Sequence, residues 1–354
     1  MVKDIFIFTQ RTMRVAKAYC SIFIVLTGCG RHYTTHRSPL RKPDYQIPTI
    51  VVSDNVTPYS YARTSSHYKK HPIFTVFDYQ SFVDNQVPLN GITDAHGNIM
   101  ARKDTINAIL DDILSALKNN SAPLPHCTII RDANFNYTTL CGLIMVKLND
   151  YPLIIKLFRE TPESFVSPFS KGFEPTTFFF MSGGSNRHIA GLTRIPNRFH
   201  LLSLIETDTR WKDMVKIPRK WYWAPTPMEW LRIDGYHMTS EPHIHTEIPA
   251  TYAVIADYIT TEQTTTLDID AQKDLIMELC TVCSLHLDPH MKNFIIDSQP
   301  DSGMPLITII DTEDHSCMTG LTEPITYTNH IEWYTVLTGK FLKNLLFNVK
   351  QDYT

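Results

Sequence analysis

The sequence predicts an α+β fold, with an antiparallel sheet first and a smaller helical part after it that returns to two further strands. Three observations predict it. Apolar runs of strand length, separated by turn residues, crowd residues 127–158. A further run over 252–259 leads into a helical period over 271–284, with apolar residues at Leu275, Ile276, Leu279 and Val282. Two more apolar runs, 294–296 and 306–310, follow a polar loop. The 354 residues are 43% hydrophobic and 19% charged, enough to bury a sizeable core as one large or two ordinary domains. A net charge of −3 argues against a nucleic-acid partner.

The first 29 residues stand apart. Lys3, Arg11, Arg14 and Lys17 precede an apolar stretch at 22–26, and Leu26-Thr27-Gly28-Cys29 follows. A basic flank, an apolar stretch too short to cross a bilayer, and small residues describe a secretory signal. The last four residues resemble the bacterial lipoprotein cleavage box. That resemblance implies lipidation of Cys29 and a membrane-anchored or secreted protein; a buried N-terminal element in a cytoplasmic protein is the alternative. Residues 30–61 carry Pro39, Pro43, Pro48 and Pro58 and read as a linker. Residues 62–126 form an accessory region with a strand-like run at 74–78. An amphipathic helix follows at 103–119, with Ile106, Ile109, Leu110, Ile113, Leu114 and Leu117 on one face.

Strands are predicted at 127–131, 139–148 and 151–158, with Asn149-Asp150 as the turn between the last two. Lys156 lies in an apolar strand, where its charge is costly without a partner. A bound phosphate would be one, and an edge position open to solvent would be another answer. The turn at 132–138 holds no glycine, so close backbone approach to a phosphate is hindered there. Gly183-Gly184-Ser185-Asn186-Arg187-His188 reads as a shaped loop that contacts phosphate or substrate, or as a helix stop followed by a satisfied arginine. Strands follow at 215–223 and 252–259. Cys280 and Cys283 form a C-x-x-C inside the predicted helix and read as its core rather than as zinc ligands. His243 and His245 read as a metal pair or as alternating exposed residues.

The most informative segment is His286-Leu287-Asp288-Pro289-His290-Met291-Lys292-Asn293, followed after two strand-like runs by Asp311. Two carboxylates and an amide brought to one centre suit a hard divalent ion and a polyphosphate. This H-x-D-x-H-x-x-N segment with its later aspartate resembles the protein-kinase-like superfamily, most closely the aminoglycoside and choline phosphotransferase branch. The resemblance implies an antiparallel small lobe over 127–260 and a reduced helical large lobe over 261–354. It implies ATP and Mg²⁺ as cofactors. Asp288 and His290 would belong to the catalytic loop, Asp288 orienting or deprotonating the acceptor hydroxyl, while Asn293 and Asp311 hold magnesium and Lys156 meets the phosphates. Glu174 is the first choice for the acid paired with Lys156, with Glu163 and Glu160 as rivals. The expected function is phosphotransfer to a hydroxyl of an unidentified small-molecule or protein acceptor. The alternatives are a catalytically inactive pseudokinase serving as a membrane-anchored interaction module, and a metal-dependent hydrolase using Asp288, His290 and Asp311.

Overall fold

The computed structural model describes residues 50–51, 77–121, 123–161, 164, 185–236, 244–260, 265, 267–283, 286–299 and 304–315. All lie within the unit Tyr45–Thr354 and form a mixed α+β fold with mainly antiparallel sheets. In chain order the strands are β1 (Ile50–Val51), β2 (Ile92–Thr93), β3 (Ile99–Ala101), β4 (Cys127–Asn136), β5 (Cys141–Leu148), β6 (Leu153–Arg159), β7 (Val215–Lys216), β8 (Lys220–Trp223), β9 (Trp230–Tyr236), β10 (Ile244–Pro249), β11 (Thr251–Asp257), β12 (Phe294–Ser298) and β13 (Pro305–Ile309). The helices are α1 (Tyr79–Asp84), α2 (Lys103–Lys118), α3 (Ser185–Thr207) and α4 (Ile269–Val282).

The principal sheet has five strands in the order β4-β5-β6-β11-β8. Every pairing in it is antiparallel. Alternation along the strands gives each face its own core. On the outer face Ile144, Val146, Leu148, Ile155, Leu157, Ala253 and Ile255 meet the apolar stripe of α2, whose Ile106, Leu110 and Ile113 are almost fully buried. The stripe repeats at three and four residues, as a helix covering a sheet requires.

On the inner face Phe158, Tyr222, Tyr252 and Val254 pack against Ile189, Ala190, Leu192 and Ile195 of α3. The helix lies close to the sheet at Gly191, where a Cβ would run into the Tyr252 hydroxyl and the Phe158 ring. Pro196 lies inside α3 and has no N–H for the Leu192 carbonyl. The buried Tyr222 hydroxyl donates to that carbonyl instead, at 2.6 Å.

A second sheet, in the order β12-β13-β7, lies over α4. Its core includes Leu279, Cys280, Cys283, Phe294, Ile296, Ile307 and Ile309, together with Leu201 and Ile205 from the far half of α3. A third sheet joins β1 to β9 and β10, the two strands that the chain inserts between β8 and β11.

Several expectations change. The predicted strand at 215–223 is two strands in different sheets: β7 pairs with β13 and β8 with β11. Pro218 stands between them and cannot donate to a ladder. Phe77 and Asp78 are not strand; Asp78 instead caps α1, accepting from the Ser81 N–H. β4 runs five residues beyond its predicted end at Arg131. The segment read as a shaped loop or a helix stop is a helix start, since α3 begins at Ser185. The signal, the linker apart from Ile50 and Val51, and the helical lobe beyond residue 315 lie outside the described residues.

Candidate active site

The loop that carries the motif is fastened at both ends. Asp268 caps α4, accepting from the N–H groups of Asp270 and Ala271. The chain leaves α4 through Cys283 and Leu287, both buried. Asp288 then holds the loop together. Its Oδ1 accepts from the His290 N–H at 3.1 Å and its Oδ2 from Asn293 Nδ2 at 3.0 Å. His290 is exposed, and its Nδ1 accepts from the Lys292 N–H, capping the 3₁₀ turn Met291–Asn293. The Asn293 carbonyl accepts from the Ile310 N–H at 2.9 Å, which brings the end of β13 and Asp311 beside the loop. Asp288, Asn293, Asp311 and Glu313 line one cavity of ≈ 20 Å³. That is room for about one water-sized body.

Lys156 sits on β6, the third of the five strands, and not at an edge. Its ammonium meets Asp311 Oδ2 at 2.9 Å, a contact spanning 155 residues of chain. The other Asp311 oxygen accepts from Arg194 of α3, and Arg194 also pairs with Glu313 at 2.9 Å. A third cation, Lys220, enters from β8 and donates to Thr312 Oγ1 at 2.6 Å and to the Ile310 carbonyl at 3.3 Å. These charges set one another's protonation. Burial alone would raise the Asp311 pKa, but Arg194 and Lys156 outweigh it and hold the carboxyl well below the usual range. Glu313 is pushed up, by burial first and then by Asp311 and Asp288. Burial followed by the Arg194 charge lowers Lys156, with Asp311 opposing. Burial lowers Lys220 much further, with Asp311 opposing and Lys156 and Arg194 adding to the shift.

Helix α3 grips the segment after β13 along its length. Thr193 Oγ1 accepts from the Asp314 N–H, and the Arg194 carbonyl accepts from Thr312 Oγ1. Asn197 Nδ2 donates to the carbonyls of Thr312 and His286. Asp311 thus joins Lys156 of the sheet to Arg194 of the helix.

Of the residues singled out in the sequence, Lys156, Asp288, Asn293 and Asp311 come together, and His290 stands at the loop's exposed side. Glu174, Glu163 and Cys29 lie outside the described residues. Glu160 is buried and accepts from Ser164; the carboxylate at the Lys156 ammonium is Asp311. Cys280 and Cys283 are buried in the α4 core. His243, of the pair His243 and His245, lies outside the described residues. Sequence reasoning missed Arg194, Asn197 and Lys220. The signal for the first two was Ile189, Leu192 and Ile195, three apart, flanking polar residues of the same helix. Among the described residues no group of three or more His, Cys, Asp or Glu side chains is arranged to hold a metal by itself. An Asp311 site would therefore need the Asn293 amide. No family model matches the chain, and no curated protein sequence matches it either.

Proposed function

We propose that the cleft is a protein-kinase-like phosphotransferase site that moves the γ-phosphoryl group of ATP to a hydroxyl. The observation that carries this reading is the convergence of Lys156, Asp288, Asn293 and Asp311 from a central strand, a loop and a second sheet. Two further features support it: the five-stranded antiparallel sheet, and the long helix on its inner face between the third and fourth strands. In the reaction Asp288 accepts the hydroxyl proton of the acceptor, whose oxygen forms the new P–O bond while the bond to ADP breaks. Asn293 and His290 keep the Asp288 carboxylate oriented through its two oxygens. Lys156 meets the phosphates as they displace Asp311 from its ammonium.

The residues fit magnesium only as a pair: the Asp311 carboxylate and the Asn293 amide are hard oxygen donors lining one cavity, while both Asp288 oxygens are taken by hydrogen bonds within the loop. Asn293 and Asp311 would hold the ion. Bound there, it would neutralise charge on the phosphates.

A second reading, a nucleotide-binding module without catalysis, is favoured by one observation. Both Asp311 oxygens are already engaged by cations, Lys156 and Arg194, so a metal must compete for them.

The test is thermal shift and calorimetry of the full chain with ATP and magnesium, followed by turnover against a panel of hydroxyl acceptors. Asp288→Ala should keep nucleotide binding and lose at least about 10²-fold in rate, the usual contribution of a positioned general base. Asp311→Ala should abolish the magnesium dependence of binding. The absence of any shift with ATP and magnesium would sink the phosphotransferase reading. Binding without turnover on any acceptor would favour the second.

A further inference from the structure

The stretch where backbone amides would cover phosphates is closed to them. β4 stays extended through Asn136, and its last residues are paired with β5: Asn134 with Leu143, Phe135 with Gly142, Asn136 with Cys141. At the turn, Asn136 Oδ1 already accepts from the N–H groups of Thr138 and Thr139, at 2.9 and 3.2 Å. No glycine lies between Asp132 and Thr138 to let a ligand approach the main chain.

Guanidinium groups converge beside it. Arg131 of β4 pairs in register with Met145, and Met145 with Lys156, so the three share the inner face of the sheet. Arg187 lies seven residues before Arg194 on α3, two turns away on the same side. Neither Arg131 nor Arg187 has an ion pair among the described residues, and Arg187 Nε is buried without a hydrogen-bond partner. Arg187 is depressed by burial first and then by the charge of Arg131; Glu313 opposes this, and Arg194 adds to it. Glu313 is already paired with Arg194, and like charges brought together are unfavourable unless a further anion joins them.

We propose that Arg131 and Arg187 form a two-guanidinium cradle for the phosphate chain of a nucleoside triphosphate, doing with side chains what the turn's amides cannot do. This rests on the nucleotide reading of the cleft for the base, though not for the phosphates. Guanidinium planes present paired N–H donors to phosphate oxygens and stay charged.

The experiment uses the full chain and three probes: ATP, AMP and inorganic tripolyphosphate, titrated calorimetrically at fixed ionic strength. Arg131→Gln and Arg187→Gln should each weaken ATP and tripolyphosphate by about tenfold, the range for hydrogen bonds to charged groups, and leave AMP unchanged. Lys118→Gln, an exposed charge at the far end of α2, should change nothing. Without ligand the two variants should melt at or above the wild-type temperature, because a like-charge contact has been removed; a merely structural role would lower it. If the double variant binds ATP as the wild type does, the cradle is overturned and the nucleotide reading stands. If the wild type binds tripolyphosphate but not ATP, and the variants lose it, the nucleotide reading fails and the cradle stands. If the wild type binds neither polyphosphate, both fall.

Discussion

Glu160 is the carboxylate most out of place. It is 3% exposed, and Oε1 has no hydrogen-bond partner among the described residues. Burial raises its pKa from the ordinary 4.5 to about 7, against the Ser164 hydrogen bond and the Arg159 charge. The folded protein therefore keeps a proton that the unfolded chain releases at lower pH. The folded state is favoured most below pH 4.5, loses ground as pH rises from 4.5 to 7, and changes no further above that. Glu160→Gln should remove this slope. Urea unfolding at pH 4.5 and pH 8 should show a variant equal to wild type at the lower pH and more stable by up to about 3 kcal/mol at the higher, one pKa unit being ~1.4 kcal/mol. A pH-independent difference would mean that Glu160 titrates normally. At this scale the sequence was legible where chemistry needs particular side chains. Asp288, Asn293 and Asp311 stand in a spacing that few other demands produce. Arg194 and Lys220 were illegible because a cation buried against a distant carboxylate or carbonyl looks, in sequence, like any surface arginine or lysine.

Among the elements, β5, β6, β11 and α2 were readable, the strands as apolar runs buried on both faces and α2 as a single apolar stripe, whereas the run at 215–223 hid two strands. α3 was not readable. It packs against a sheet on one side and against the Asp311 segment on another, so its stripe is interrupted by His188, Thr193, Arg194 and Asn197, all buried. Gly191 and Pro196 lower its intrinsic helix propensity further. Those residues are the price of its contacts. Asn197 illustrates the exchange: one amide nitrogen serves the carbonyls of Thr312 and His286, at 3.1 and 2.8 Å. Asn197→Ala leaves both carbonyls short of a donor in a buried setting, which should cost about 1–3 kcal/mol. In urea the midpoint should fall with the slope unchanged. A midpoint equal to wild type would show that water replaces the amide without loss.

For the whole molecule, no helix among the described residues is long and apolar enough to cross a membrane. For the residues before Tyr45 we propose acylation of Cys29 after cleavage before it. Two or three acyl chains anchor stably, at about 0.8 kcal/mol per buried CH₂. Expressed in a bacterium, the wild-type chain should fractionate with membranes, and mass spectrometry should show cleavage and acylation. Cys29→Ser should remain unprocessed at that site. An intact, unmodified chain from Met1 in the soluble fraction would sink the idea. The way α3 is fastened has a consequence for control. A helix that holds Asp311, Thr312, Glu313 and Asp314 at once cannot swing away from the cleft by degrees. Its contacts give way together or not at all, and each neutral hydrogen bond among them adds about 1 kcal/mol to the barrier, the ionic ones more. A signal that worked by loosening this helix would take apart the acidic centre with it. Moving this helix away from the site would therefore release Asp311, Thr312, Glu313 and Asp314 together.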